Sequence, residues 1–79
     1  MSTNPSDDFI VAFGKNLKRI RAENGLRHQD MDDYGITRSY YGKIELGKHC
    51  TTLDKIYLIA KAFGITPDKL FLDEEGNPI

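Results

Sequence analysis

Hydrophobic residues recur at intervals of three and four along most of the chain, which is the spacing of one face of an α-helix. An early apolar stripe consists of Phe9, Ala12 or Phe13, Leu17 and Ile20. The clearest stripe consists of Leu53, Ile56, Tyr57, Ile59, Ala60 and Phe63. No segment alternates between polar and apolar residues for long enough to predict a strand. The pattern therefore predicts an all-α protein.

Helix start and stop signals divide this pattern into five predicted helices. The first four are expected at about residues 8–24, 28–34, 37–46 and 52–63, and glycine follows the first and the fourth. The fifth begins at Thr66-Pro67, because proline is well tolerated at the first position of a helix. The second helix is short and acidic, so its stability must come from its neighbours.

The stretch LRHQDMDDYGITRSYYGKIELG, residues 26–47, predicts two short helices joined by a tight turn at Tyr34-Gly35. Thr37 is a good N-cap for the second of these helices, and Gly47 is placed to end it in a left-handed conformation. The side chains expected to point inward are Ile36, Tyr41 and Ile44. Those left facing outward are Arg38, Ser39, Tyr40, Gly42 and Lys43. Such a surface on a short helix after a tight turn suits the major groove of DNA.

Composition and charge permit this interpretation without demanding it. The 79-residue chain has a net charge of −1, but residues 15–48 contain eight basic and five acidic residues. With the single cysteine, Cys50, no internal disulfide is possible, and no apolar run approaches the ~18 residues of a membrane span. We expect a cytoplasmic protein with a disordered arm at 1–7, one domain at 8–72 and an acidic, frayed tail at 73–79.

Three blocks of the sequence resemble the lambda-repressor/Cro-like helix-turn-helix proteins, also called XRE-type regulators. The blocks are FGKNLKRIRAENGL (13–26), GITRSYYGKIELGK (35–48) and TLDKIYLIAKAFGITPDKLF (52–71). They occur in the family's order and spacing, and the resemblance covers about residues 13–72. It implies a five-helix DNA-binding domain with the helix-turn-helix at the second and third helices.

The resemblance also implies roles for individual residues. The positions implied to contact DNA, or to lie beside contacting residues, are His28, Thr37, Arg38, Ser39, Tyr40, Gly42, Lys43 and Lys48. Position 28 usually holds a glutamine that touches phosphate and braces the recognition helix, and Lys48 matches a phosphate-contacting loop site. Arg21 and Glu45 match a partly buried ion pair. The chemistry agrees, because arginine pairs bidentately with guanine while lysine offers a point charge.

The sequence departs from the family pattern at three places in or beside the second helix. His28 replaces the glutamine, Asp32 replaces a small alanine, and the turn before Gly35 is one residue shorter than usual. A carboxylate such as Asp32 repels phosphate at close range. These departures leave the predicted fold unchanged but bear on how the recognition helix approaches DNA.

The predicted function is that of a sequence-specific transcriptional regulator, repressor-like, that binds double-stranded DNA as a homodimer. Its expected dimer surface is the fifth helix, with Leu70, Phe71 and Leu72. The alternatives are an antitoxin, or a protein-interaction module on this fold that has lost DNA binding. No cofactor or metal is expected, since His28, His49 and Cys50 lack metal-ligand spacing. An enzyme is not expected, because no nucleophile accompanies a base.

Overall fold

The computed structural model describes residues 6–79, and five helical segments follow one another in this range. Three are α-helices: α1 (Asp7–Glu23), α2 (Arg38–Glu45) and α3 (Leu53–Phe63). The other two are 3₁₀ helices, His28–Tyr34 and Pro67–Phe71. Within this range an isolated bridge between Leu72 and Pro78 is the one extended pairing. The prediction of an all-α fold is confirmed. Residues 1–5 of the predicted N-terminal arm lie outside the described residues.

One hydrophobic core joins the five segments. α1 packs against α2 and the 3₁₀ helix Pro67–Phe71, while the 3₁₀ helix His28–Tyr34 lies between α2 and α3. The buried apolar residues are Phe13, Leu17, Ile20, Met31, Ile36, Tyr41, Ile44, Ile59, Ala60, Phe63 and Leu70. The inward positions predicted for the helix-turn-helix, Ile36, Tyr41 and Ile44, are confirmed, since each is at most 1% exposed.

The second predicted helix is a 3₁₀ helix, which corrects the expectation of an ordinary short helix. A 3₁₀ helix rises about 2.0 Å per residue against about 1.5 Å for an α-helix. Seven residues therefore span about 14 Å in this form but only about 10 Å as an α-helix. The segment ends at Gly35 with a left-handed φ of 83°.

Apolar residues at two places lie on a different side from the one predicted. Leu53 and Tyr57 of α3 were expected in the core, but they are 84% and 57% exposed. Conversely, Leu70 and Phe71 were expected on a dimer surface. Leu70 is fully buried, and the Phe71 ring stacks on Phe13 with the ring centroids 4.9 Å apart. The fifth helix is therefore part of the core, because its two apolar residues fill the space beside α1.

The C-terminal segment folds back onto the domain, which corrects the expectation of a frayed tail. The buried side-chain amide of Asn16 donates to the carbonyl oxygens of Leu70 and Leu72 at 2.8 and 2.7 Å. The Asp73 carboxylate then accepts from the backbone N–H groups of residues 75 and 77, and Ile79 N–H donates to Phe71. Buried polar groups are stable when they are paired, and Asn16 serves as the anchor of this segment.

Gly14 allows α1 to approach the C-terminal end of α2 more closely than any other residue type would. A Cβ atom at this position would lie 2.5 Å from the backbone carbonyl oxygens of both Ile44 and Glu45. Backbone atoms cannot move aside as a flexible side chain can, so the two helices would have to separate. The packing of α1 against α2 thus requires a residue without a side chain at position 14.

We expect Gly14→Ala to lower the free energy of unfolding by about 3 kcal/mol, at the upper end of overpacking costs. Gly42→Ala is the matched control. Gly42 is also helical, but a Cβ there would meet only the His28 ring at 3.5 Å, an ordinary contact. We expect this control to stabilise the protein by about 0.5–1 kcal/mol, because alanine favours a helix over glycine. Urea unfolding of both variants measures the difference, and equal stabilities would contradict the close approach.

Candidate nucleic-acid interface

The start of α2 is exposed and well capped. Thr37 is the N-cap residue, and its side-chain oxygen accepts a hydrogen bond from Tyr40 N–H at 3.2 Å. Arg38, Ser39 and Lys43 are all exposed on the outer face of the helix. The prediction of a threonine cap with arginine, serine and lysine directed to solvent is therefore met by the geometry of this helix.

A groove runs between α1 and the exposed face of α2. Lys15 and Lys18 line it from α1, and the α2 side is lined by Arg38, Ser39, Gly42, Lys43 and Glu45. Among these side chains the basic groups lie toward solvent, while Glu45 lies at the bottom with 5% of its side chain accessible. A groove lined by four exposed cationic side chains attracts an anionic polymer. Lys48 is exposed but lies outside the groove lining, in the loop after α2.

The buried Glu45 carboxylate joins three segments of the chain. Arg21 of α1 holds it with two hydrogen bonds, Nε to Oε2 at 2.7 Å and Nη2 to Oε1 at 3.2 Å. His28 of the first 3₁₀ helix places its Nε2 atom 3.0 Å from the same Oε1. Arg21 also donates to the carbonyl oxygen of Leu26 at 2.8 Å. The implied Arg21–Glu45 pair is thus part of a larger cluster that fixes α2 relative to its neighbours.

The surroundings of Glu45 act on its pKa in opposite directions. Burial raises the pKa of the carboxyl, but hydrogen bonds from Arg21 and from His28 lower it, and the net pKa lies below the ordinary value. Tyr41 beside it is fully buried, and burial raises the pKa of its phenol, with the Glu45 carboxylate adding to the effect. The Tyr41 hydroxyl has no hydrogen-bond partner of acceptable geometry within residues 6–79. The cluster is therefore charged on Glu45 and Arg21 and neutral on Tyr41.

His28 faces inward more than the resemblance implied. Besides its bond to Glu45, its ring meets the Tyr41 ring edge-on, with centroids 5.5 Å apart, and its Nδ1 side faces Gly42. It braces α2 as the implied glutamine would. Its side chain remains 43% exposed at the edge of the groove.

Two of the three aspartates in the first 3₁₀ helix form hydrogen bonds or ion pairs with arginines. Asp30 accepts hydrogen bonds from Arg27, from the backbone N–H at 2.7 Å and from the guanidinium at 3.1 Å. Asp32 accepts from the backbone N–H of Arg38 at 3.0 Å, and its other carboxylate oxygen lies 3.6 Å from the Arg38 guanidinium. Both basic partners belong to the helix-turn-helix segment, residues 26–47. The sequence did not predict the contact between Asp32 and Arg38, because the two residues are six positions apart and lie on different helices.

Tyr40 is turned toward the loop after α2. Its ring meets His49 edge-on with centroids 5.0 Å apart, and its hydroxyl donates to Thr51 at 3.4 Å. It is half-buried against the core. Tyr40 therefore supports the loop that carries Lys48, and its hydroxyl is already engaged within the protein.

No group of three or more histidine, cysteine, aspartate or glutamate side chains between residues 6 and 79 is arranged to hold a metal ion. None of the helices in the described part of the chain combines the length and the apolar character that a membrane span requires.

Comparison with known proteins identifies the fold and the family. A family model described as helix-turn-helix matches residues 17–70. The chain is 39% identical over 59 residues to YonR of Bacillus subtilis, a prophage-derived, uncharacterised helix-turn-helix transcriptional regulator, and spans 55% of that protein's length. It is 34% identical over 71 residues to the control protein C.MunI of a Mycoplasma species, and these cover 87% of this chain and 96% of C.MunI.

Solved structures agree with the sequence comparison. The restriction-modification controller protein C.AhdI from Aeromonas hydrophila superimposes with a TM-score of 0.82 at 32% identity. The match covers 86% of this chain and all of that one. The hypothetical transcription factor NHTF from Neisseria gives a TM-score of 0.74 at 19% identity, with 95% of this chain and 88% of that chain covered. At that identity NHTF shows the shared fold only.

The lowered pKa of Glu45 predicts how stability depends on pH. A carboxyl whose pKa is lower when folded stabilises the protein above its unfolded pKa and loses this contribution as pH falls through the folded value. We expect Glu45→Gln to cost about 3 kcal/mol at pH 7, because Arg21 loses its buried partner. We also expect the variant to lose less stability than the wild type between pH 5 and pH 3. Urea unfolding at several pH values measures both effects.

Glu23→Gln is the matched control for this measurement. Glu23 pairs with Arg19 at 2.9 Å, but its side chain is 55% exposed. Such a surface pair contributes about 0–1 kcal/mol. A Glu45 variant as mild as the Glu23 variant would show that the buried pair does not hold the helices together.

Proposed function

This chain belongs to the helix-turn-helix family of lambda-repressor/Cro-like (XRE-type) regulators, and we propose that it recognises a specific operator with α2 in the major groove. It is a DNA-binding transcriptional regulator. The observation that carries the proposal is the groove between α1 and α2, in which Lys15, Lys18, Arg38 and Lys43 surround the exposed start of a capped helix. We propose that it binds DNA without catalysing a reaction. We also propose that it acts in the cytoplasm.

The proposed contacts divide between bases and phosphates. Arg38 and Ser39 lie in the first turn of α2, where a recognition helix meets base edges, and arginine pairs bidentately with guanine. Lys43 on α2, Lys48 in the loop and the α1 lysines supply point charges for phosphate. Thr37 and Tyr40 hold the start of α2 and the loop in place. Gly42 lies beside the His28 ring, and His28 braces α2 from its neighbour.

The comparisons support a controller role most directly among those that the family allows. C.MunI is named a control protein, and C.AhdI is named a restriction-modification controller. Both align over nearly their whole length with this chain, whereas the prophage-derived YonR aligns over about half of its own. We propose that the chain is a controller protein that regulates the transcription of restriction-modification genes. A repressor-like action and an antitoxin role remain the other outcomes for this fold.

We propose that the chain acts as a homodimer through the outer face of α3. Leu53 and Tyr57 lie one turn apart on this helix, and they are more exposed than large apolar side chains usually are. One α2 helix buries little surface in a groove, so a two-fold dimer doubles the contacts at half-sites about 34 Å apart. This surface replaces the one expected at the fifth helix, where Leu70 is buried in the core and Phe71 packs against it.

The rival interpretation is a protein-interaction module that has lost DNA binding. It rests on the acidic residues beside the recognition helix. The pairing of Asp30 with Arg27 and of Asp32 with Arg38 weakens this case, because each carboxylate has a basic residue of the helix-turn-helix beside it. The salt dependence of duplex binding separates the two interpretations, since phosphate contacts give a steep loss of affinity as salt rises.

The first test is selection of bound sequences from a random duplex pool with the wild type, Arg38→Ala and Lys43→Ala. We expect the wild type to enrich a two-fold symmetric site. Arg38→Ala should relax the preference at one base pair of each half-site, with a loss of about tenfold in affinity for the selected site. Lys43→Ala should weaken all duplexes alike and reduce the salt slope by about one.

Lys69→Ala is the control for these variants, because Lys69 is an exposed lysine of the 3₁₀ helix Pro67–Phe71 and lies outside both the groove and the proposed dimer surface. It should leave both preference and salt slope unchanged. Enrichment that Arg38→Ala does not alter would refute the contact assignment. A wild type that enriches no site at low salt would refute DNA recognition itself.

The proposed dimer is tested by sedimentation of Tyr57→Glu and Leu53→Glu. A charge buried in an apolar interface without a partner is strongly unfavourable, so we expect each variant to sediment as a monomer where the wild type is a dimer. Leu46→Glu is the control, since Leu46 is 66% exposed but lies at the end of α2 and not on α3. Dimers of all three variants would place the interface elsewhere.

A further inference from the structure

Asp32 makes two contacts with one residue of the recognition helix. Its Oδ1 atom accepts from the backbone N–H of Arg38 at 3.0 Å, and its Oδ2 atom lies 3.6 Å from an amino group of the Arg38 guanidinium. Arg38 is the first residue of α2, so its N–H is one of those left without a partner inside the helix. A carboxylate at this end of a helix is also favoured by the helix dipole.

We propose that Asp32 is a specificity-determining positioning residue that holds the Arg38 guanidinium for recognition of one base. This inference rests on the proposed function, because it concerns the residue that we assign to the base contact. Asp32 need not touch DNA. It acts through Arg38, and its carboxylate provides the fixed point from which that side chain extends.

The backbone contact makes this carboxylate a fixed point. A free surface aspartate would follow the arginine or turn to solvent, and such a pair would contribute little. Here one oxygen is held by the N–H of α2, so the other oxygen keeps its place relative to the helix axis. The guanidinium faces Asp32 with one amino group, and the Arg38 side chain is still 65% exposed. Donors remain available for a bidentate contact with guanine.

The physical benefit is pre-organisation. A free arginine side chain carries much rotamer entropy, and ordering such a side chain on binding lowers affinity by about two- to tenfold. Restricting Arg38 before binding removes part of that loss only for the base that the held guanidinium can reach. The same carboxylate repels every phosphate equally. Asp32 is therefore expected to lower affinity for all DNA slightly while it increases the preference for the correct base.

The test compares Asp32→Asn with Asp33→Asn in the wild-type and Arg38→Ala backgrounds. Asparagine keeps an oxygen that accepts from the Arg38 N–H, but it loses the charge that attracts the guanidinium. Asp33 is an exposed neighbour in the same 3₁₀ helix, so its variant removes the same charge from the same region. Affinity is measured for the selected operator, for operators changed at the Arg38-dependent base pair, and for unrelated duplex.

We expect both variants to bind unrelated duplex more tightly by a similar factor. Only Asp32→Asn should lower the discrimination at the Arg38-dependent base pair, by about threefold to tenfold. In the Arg38→Ala background Asp32→Asn should have no effect on discrimination. Urea unfolding of each variant checks that the fold is retained, and Asp32→Ser, with a shorter oxygen acceptor, takes the place of a variant that unfolds.

The outcomes separate the inference from the function on which it rests. Discrimination that is unchanged or sharper in Asp32→Asn overturns the inference, because Asp32 would then be only a charge or a competitor for Arg38. A discrimination loss shared equally by Asp33→Asn overturns it as well. A wild type that prefers no sequence refutes the proposed function and the inference together, and the operator measurement reveals this before any variant is compared.

Discussion

The fold and the recognition surface both depend on one buried carboxylate. Glu45 lies at the end of α2 with 5% of its side chain accessible, and a charge in that position is costly unless it is paired and hydrogen-bonded. Arg21 and His28 supply the partners, and they come from α1 and from the first 3₁₀ helix. The requirement to satisfy one charge therefore sets the positions of three segments at once. The groove exists because these segments are held in that arrangement.

Local sequence signals predicted the elements of the fold well. Helical spacing and the positions of Thr37, Gly35 and Gly47 gave an all-α chain with a capped helix between two glycine stops, as the structure has it. The side on which an apolar residue lies was less predictable, because helical spacing identifies a stripe but not its width. Tyr57 belongs to the same stripe as Ile56 yet lies in solvent. Helical spacing did not predict the type of the second helix, because a seven-residue segment is too short for its pattern to separate a 3₁₀ helix from an α-helix.

Five of the eight residues predicted to contact or flank DNA line the groove, and several of the structural roles depend on contacts between distant parts of the chain. The inward turn of His28 follows from Glu45, which is 17 residues away. The ion pair between Asp32 and Arg38 crosses the turn at Gly35. From the sequence pattern alone, Asp32 is only a negative charge that would repel phosphate. Asn16 was passed over because an asparagine on a helix is usually exposed. Long-range pairing is the information that spacing alone does not contain.

The anchor at Asn16 has a consequence for how the protein is made. Its carbonyl partners are 54 and 56 residues further along the chain, so the loop that this contact closes includes most of the domain. During synthesis α1 leaves the ribosome before residues 70–72 do, and its inner face stays uncovered until they follow. The domain can therefore reach its native state only after these residues have been made. A product truncated before them would leave the apolar face of α1 exposed and open to degradation.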